Sequence, residues 1–252
     1  MSEAPVLRCH GLEKRFGGVV ALDGVHLEFP AAGLVAILGP NGAGKTTLFD
    51  ALCGFQAVDR GRTFLGEREI TRLPPHRIAR LGMARTFQNL RVISRVSVLD
   101  NVLVALPQPL GESLLGIFQP RAVIRQETKN RETALRLLHF VSLEGEGAAV
   151  AGELSWGQQK LLSIAACLAT GARILLLDEP IAGVHPERAR QIGELLRSIR
   201  EEGRLVIFIE HDLATVRQVA DRVIVLDQGR VIAEGETAEV LSRREIAEAY
   251  LG

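Results

Sequence analysis

Four short runs in this chain are apolar at every position: Leu34 to Leu38, Ile174 to Leu177, Leu205 to Ile209 and Val223 to Leu226. A strand with one solvated face alternates apolar and polar residues, because successive side chains point to opposite sides. Runs without alternation, carrying Val and Ile, belong to strands buried on both faces, as in a parallel sheet covered by helices. Between the second and third runs lies HPERARQIGELLRSIREEG. There Ile192, Leu195, Leu196 and Ile199 recur at helical spacing, Pro186 suits a first helical turn and Gly203 suits the stop. Strand, helix and strand in that order make a βαβ unit with a right-handed crossover. A chain of 252 residues, 47% apolar, holds one large α/β domain or one domain with an inserted subdomain, and it is too apolar to be disordered.

Two regions depart from this pattern. Residues 5 to 30 hold alternating segments broken at Gly17-Gly18 and at Asp23-Gly24, the latter a hairpin turn signal. They predict a small antiparallel sheet attached to the main one. From about Asn89 to Gly152 the buried-strand pattern disappears. Helical segments at Val98 to Leu106 and Val123 to Val141 flank the Pro/Gly-rich stretch PQPLGESLLGIFQP, which reads as an inserted helical subdomain. The expected organisation is one domain over 1–252. Its α/β core with the antiparallel part takes 1–88 and 164–252, and the helical subdomain takes about 89–163.

Composition removes several classes of function. Thirty basic residues balance thirty acidic ones, which gives no electrostatic reason for a nucleic-acid footprint. Cys9, Cys53 and Cys167 lie far apart with no metal-ligand spacing, so they read as core-filling thiols in a reducing compartment. The start, MSEAPVLRCHG, lacks the apolar core of a signal peptide. The longest apolar stretches fall far short of the roughly 20 residues that span a bilayer. A soluble protein is expected, with any membrane role exercised through a partner and no direct insertion.

The loop after the first buried run carries the chemistry. Gly39, Pro40, Asn41, Gly42, Ala43, Gly44, Lys45 and Thr46 read GPNGAGKT, followed by Thr47 and the helical TLFDALCG. The run matches G-x-x-x-x-G-K-[ST], between a strand and a helix. Its glycines let backbone N–H groups curl around phosphate oxygens, and the helix start adds the positive end of its dipole. Lys45 is expected to reach the β- and γ-phosphates of ATP and the Thr46 hydroxyl to ligate Mg²⁺. The competing reading is a glycine-rich turn with an incidental lysine. No N-K-x-D element supports a guanine nucleotide.

The run RILLLDEP ends in Asp178 and Glu179, at the strand edge where open α/β sheets bind ligands. Asp178 is expected to hold Mg²⁺ through its water shell, and Glu179 to act as general base on the attacking water. A solvated acidic turn is the plainer alternative. In LSWGQQ, Ser155 and Gln158 are spaced as a capping box at the start of a helix. A helix start bearing Ser155 and Gly157 is also an anion site, and the two readings are compatible.

Taken in order, GPNGAGKT, Gln88 within RTFQN, LSWGQQ, ILLLDEP and Ile209-Glu210-His211-Asp212 resemble an ABC-type ATPase over essentially the whole chain. The resemblance implies an α/β fold with a P-loop (RecA-like), mostly parallel sheet, an N-terminal antiparallel β subdomain and an inserted helical subdomain. It implies that Phe16 stacks on adenine, although packing is an equal alternative for that residue. It further implies that Gln88 contacts Mg²⁺ and the water, and that His211 senses the γ-phosphate, where a structural turn histidine is the alternative. Ser155, Gly157 and Gln158 would contact ATP held by a second ATPase subunit, self or paralogue, in a head-to-tail dimer. Transmembrane permease subunits would be the other partners, and the location would be cytoplasmic, on the inner face of the membrane.

The stretch GMARTFQNLRVISRVSVLDNVLVAL, the insertion from Pro107 to about Arg125 and the ending IAEAYLG resemble the ATPase subunits of branched-chain amino acid importers. Urea and amide importers use very similar subunits, and a lipopolysaccharide-type exporter ATPase, acting as a homodimer, is a further alternative that the insertion disfavours only mildly. A non-transport ABC-type ATPase of DNA repair or translation is the alternative from another class. It is disfavoured by the absence of a heptad run, a second P-loop or net charge. Two residues depart from the family pattern. Trp156 stands where the common signature has glycine and this subgroup another aromatic. His185 stands in PIAGVHP where the family carries Asp and this subgroup often Asn; next to Pro186 it also suits a local helix cap.

Overall fold

The computed structural model describes residues 6–87, 92–107 and 120–243. The chain forms two compact units. One comprises Met1–Arg85, Arg173–Ala182 and Ala189–Gly252, and the other Thr86–Ala172 with Gly183–Arg188.

The first unit holds two sheets. β1 (Leu7–Phe16), β2 (Val19–Phe29), β4 (Arg60–Leu65) and β5 (Arg68–Glu69) form an antiparallel sheet in the order β2-β1-β4-β5. The second sheet contains β3 (Gly33–Leu38), β6 (Met83–Arg85), β7 (Ile174–Asp178), β8 (Leu205–Ile209), β9 (Arg222–Asp227) and β10 (Arg230–Glu236). Its order is β10-β9-β3-β8-β7-β6, and every pair is parallel except β9 with β10. Every residue of β3, β7 and β8 is buried, as continuous apolar runs require. Helix α1 (Lys45–Leu52) contributes Leu48, Phe49 and Leu52 to a core that also takes in Leu7, Leu12 and Leu22 from the antiparallel sheet. Helix α2 (Pro75–Arg80) adds Ile78.

Register decides where the chemistry falls. Ile209 pairs with Ile37 on one side and with Asp178 on the other. The carboxyl ends of β3, β8 and β7 therefore lie side by side, and the segments that leave them share one edge of the sheet.

The expected hairpin turn at Asp23-Gly24 is absent: β2 runs through both residues, and the turn lies at Gly17-Gly18. Pairing shifts from Leu12 opposite Val25 to Lys14 opposite Leu22, so Asp23 and Gly24 form a bulge. Gly24 has φ 69°, which suits a bulge as well as a turn. The Asp23 N–H donates to the Gly229 carbonyl at 2.9 Å, and that bond holds the residue within the sheet. Strand β6 has only three residues, too few to show a period in the sequence.

In the second unit, helices α3 (Val98–Ala105), α4 (Pro120–Phe140) and α5 (Trp156–Ala169) pack on one another. Ser97 caps α3, accepting the Asp100 N–H at 3.0 Å. The buried Asn101 side chain accepts from the Ile93 N–H and donates to the Ile93 and Ser97 carbonyls. α4 begins three residues ahead of the segment expected from sequence. No helix among the described residues is long and apolar enough to cross a membrane. Helix α6 (Pro186–Glu201) starts at the proline and ends before Gly203, whose φ is 77°. α7 (Leu213–Val219) is capped by Asp212, and α8 (Thr237–Val240) follows β10. Gln88, residues 108–119 of the insertion and the ending IAEAYLG lie outside the described residues.

Candidate functional site

The loop from Gly39 to Gly44 joins β3 to α1. Gly39 (φ 154°) and Gly44 (φ 102°) sit in conformations that favour glycine, and a Cβ on them would strike the Leu226 and Ala21 carbonyls. A side chain at either position would thus displace the loop. Gly44 is the N-cap of α1 and supplies no side-chain cap, which leaves the amides of the first turn to an anionic ligand. The loop is anchored from outside, because the Gly229 N–H donates to the Ala43 carbonyl at 3.0 Å. Pro40, Asn41, Gly42 and Thr46 are exposed, and Thr47 is half-buried.

Lys45 is buried, and its ammonium donates to the Gly39 carbonyl at 2.6 Å and the Pro40 carbonyl at 2.9 Å. Burial pulls its pKa below the ordinary lysine value, with Glu179 and Asp178 pulling the other way. The ammonium is therefore held on the loop carbonyls, within electrostatic reach of both acids that the sequence singles out.

Asp178 ends β7 with its side chain 4% exposed. Burial raises its pKa, and the nearby Glu179 and Asp50 add to the rise, while Arg85 opposes it. Arg85 Nη1 lies 2.5 Å from Asp50 Oδ1 and Nη2 lies 3.4 Å from Asp178 Oδ2. Its guanidinium lies over the Phe49 ring, 5.5 Å from the centroid. One arginine from the edge strand β6 thus ties helix α1 to the end of β7.

Glu179 has φ 49°, a left-handed conformation that costs a residue with a Cβ roughly 1–2 kcal/mol. Its N–H donates to the Ile209 carbonyl at 3.1 Å. Its carboxylate accepts from the His211 Nε2–H, with Oε1 and Nε2 2.9 Å apart. Glu210, between those two residues, is 1% exposed, and its Oε1 accepts from the Ile181 N–H at 2.7 Å and the Ala182 N–H at 3.2 Å.

Lys45, Asp178, Glu179 and His211 therefore meet at one edge of the main sheet. Phe16, in the same unit, is 47% exposed at the end of β1, outside the core, with the Lys14 ammonium 5.2 Å from its ring centroid. Ser155, Gly157 and Gln158 belong to the other unit. There the capping box is complete. Ser155 Oγ accepts the Gln158 N–H at 3.4 Å, and Gln158 Oε1 accepts the Ser155 N–H at 3.0 Å. A Cβ on Gly157 would meet the Arg188 side chain at 2.9 Å, so any larger residue there would have to push the Arg188 stem aside. Trp156 is 49% exposed and His185 is exposed.

Arg85, Asp50 and Glu210 are site residues the sequence did not single out. Their partners lie 28 to 93 positions away, with no local period to betray them. Glu210 stands in the quoted run Ile209-Glu210-His211-Asp212, directly after a wholly apolar strand, but with no role assigned to it.

The profile of the ABC transporter family matches residues 22–182. The chain is 40% identical over 250 residues to the high-affinity branched-chain amino acid transport ATP-binding protein BraF of Pseudomonas aeruginosa, and the alignment covers 98% of both chains. It is 36% identical, with the same coverage, to the high-affinity branched-chain amino acid transport ATP-binding protein LivG of Escherichia coli. Among solved structures it is similar to an ATP-binding cassette of an ABC transporter in its ADP conformation. The TM-score is 0.84 at 35% identity, over 98% of this chain and 99% of that one. It is also similar to a dimeric ATP-binding cassette in a post-hydrolysis state with ADP and Pi, at TM-score 0.76 and 25% identity, over 92% and 98% of the two chains. With a phosphate loop, two acids and a histidine gathered at one sheet edge, and likeness of this extent along the whole sequence, the chain belongs to the ABC transporter family as one of its ATP-hydrolysing subunits.

Proposed function

We propose that this subunit powers a membrane importer of branched-chain amino acids, working beside permease subunits on the inner face of the membrane. The observation that carries the choice of solute is the 36–40% identity, over 98% of both chains, to proteins named for that transport.

The chemistry follows from the sheet edge. ATP lies on the loop Gly39–Thr46 with its base against Phe16, and Lys45 exchanges the loop carbonyls for β- and γ-phosphate oxygens. Water attacks the γ-phosphorus, the bond from that phosphorus to the ADP oxygen breaks, and Glu179 accepts the proton the water loses. His211 orients the Glu179 carboxylate through the 2.9 Å contact and monitors the γ-phosphate beside it. Among the described residues no group of three His, Cys, Asp or Glu side chains is arranged to hold a metal alone. The Thr46 hydroxyl and the Asp178 carboxylate are hard oxygen donors that suit Mg²⁺ sharing phosphate oxygens, with Gln88 as a further contact. The ion, when bound, neutralises charge on those oxygens. Ser155, Gly157 and Gln158 face the γ-phosphate held by a second ATPase subunit, so that two sites close head to tail.

The test is uptake into proteoliposomes that hold the assembled transporter and its solute-binding protein, with ATP inside the vesicles. ATP-dependent uptake of leucine, isoleucine or valine is expected. Uptake confined to urea or short amides would overturn the solute assignment.

A further inference from the structure

Glu179 sits in a conformation that nothing in its own side chain favours, and three consecutive residues at the end of β8 hold it there. The Ile209 carbonyl takes its N–H, and the His211 ring meets its carboxylate. Between them, the Glu210 carboxylate takes two successive backbone N–H groups, of Ile181 and Ala182. Pro180 separates the fixed Ile181 from Glu179, and its ring restricts the residue before it. The segment 179–182 is thus pinned at both ends to 209–211. A buried carboxylate that receives two amides is a charge-assisted anchor, and burial to 1% exposure leaves water no room to replace it.

We infer that Glu210 is a positioning residue for ATP hydrolysis: it fixes the chain just beyond Glu179, so that the Glu179 carboxylate stays on His211 and aimed at the attacking water. The inference rests on Glu179 being the general base. Glu210 is buried and its Oε1 receives two backbone N–H groups, so its effect on Glu179 is carried through the backbone. Without it, Ile181 and Ala182 lose their shared acceptor, the backbone at Glu179 relaxes from positive φ, and the base moves off its line while the ATP-binding loop is unchanged.

The experiment is ATP binding and turnover in the assembled transporter for wild type, E210A, E210Q, E179Q and E179Q/E210A. Rates are taken per bound nucleotide, so that unfolded protein does not count. E210A should keep ATP affinity within about threefold and lose about 100-fold in kcat, the scale of a misplaced catalytic group. E210Q, whose amide oxygen still accepts both N–H groups, should regain at least about tenfold over E210A. The double variant should turn over no more slowly than E179Q alone, because displacing an absent base costs nothing further. Wild-type kcat in E210A alongside a dead E179Q would overturn the positioning role and leave the base in place. ATP affinity and kcat falling together in E210A would overturn it as well, since that marks a merely structural residue. Full turnover by E179Q would remove the base itself, and the inference with it.

Discussion

At the scale of single residues, the site is costly to maintain. Asp178 is a carboxylate at the end of a wholly buried strand, and burial outweighs the pull of Arg85 on its ionisation. Because its pKa is raised, the folded protein holds that proton more tightly than the unfolded chain does. Its contribution to stability therefore falls as pH climbs from the ordinary value of 3.8 through the raised one, and at neutral pH the ionised group is a net cost. D178N should accordingly raise the melting temperature of the nucleotide-free protein near pH 7, with the gap to wild type closing as pH drops toward 3.8, while abolishing Mg²⁺-dependent hydrolysis. A lower melting temperature for D178N at pH 7 would mean that the Arg85 pair outweighs burial. Glu179 at φ 49° is strained in the same sense, and strain of this kind persists only where neighbours over-determine it. The sequence exposed Asp178 and Glu179 because they end an apolar run. It hid Arg85 and Glu210, whose roles are defined wholly by residues distant along the chain.

At the scale of elements, the start of α5 serves two purposes that the sequence left compatible. Ser155 is a helix cap in the structure, and it is also the group proposed to meet a γ-phosphate. Two substitutions separate these roles. S155A should lower stability by about 1 kcal/mol, the usual loss of a serine cap, and should also slow turnover. S155D keeps an N-cap acceptor but brings a negative charge toward phosphate, so its melting temperature should stay near wild type while turnover falls. Thermal melting and ATPase rates on the two variants decide the point, and normal turnover in S155D would confine Ser155 to capping. The four apolar runs inside β3, β7, β8 and β9 were legible because burial on both faces leaves no polar position within them. Asp23-Gly24 misled because a positive-φ glycine serves a bulge and a turn alike, and the choice was made by Gly229, two hundred residues along. β6 carried too few residues to show a pattern.

At the scale of the whole molecule, the candidate residues are divided between two units: Lys45, Asp178, Glu179 and His211 in one, Ser155, Gly157 and Gln158 in the other. A site assembled across two subunits accounts for this division, since each chain then supplies a nucleotide-holding half to one site and a capping half to another. On the proposed reading ATP would bind on the loop of either chain alone, but its γ-phosphate would be enclosed only in the closed pair, the form that the differential affinity of ATP would stabilise. That closure is also the motion a permease would receive. The most direct measurement is the ATP hydrolysis rate of the isolated chain at a concentration where sedimentation shows only monomer, set against the rate per subunit in the assembled transporter. ATP bound to the monomer with turnover at least about a hundredfold slower, the scale lost when phosphate-facing groups are missing, is the predicted result. Steady turnover by the monomer at the rate of the assembly would contradict it.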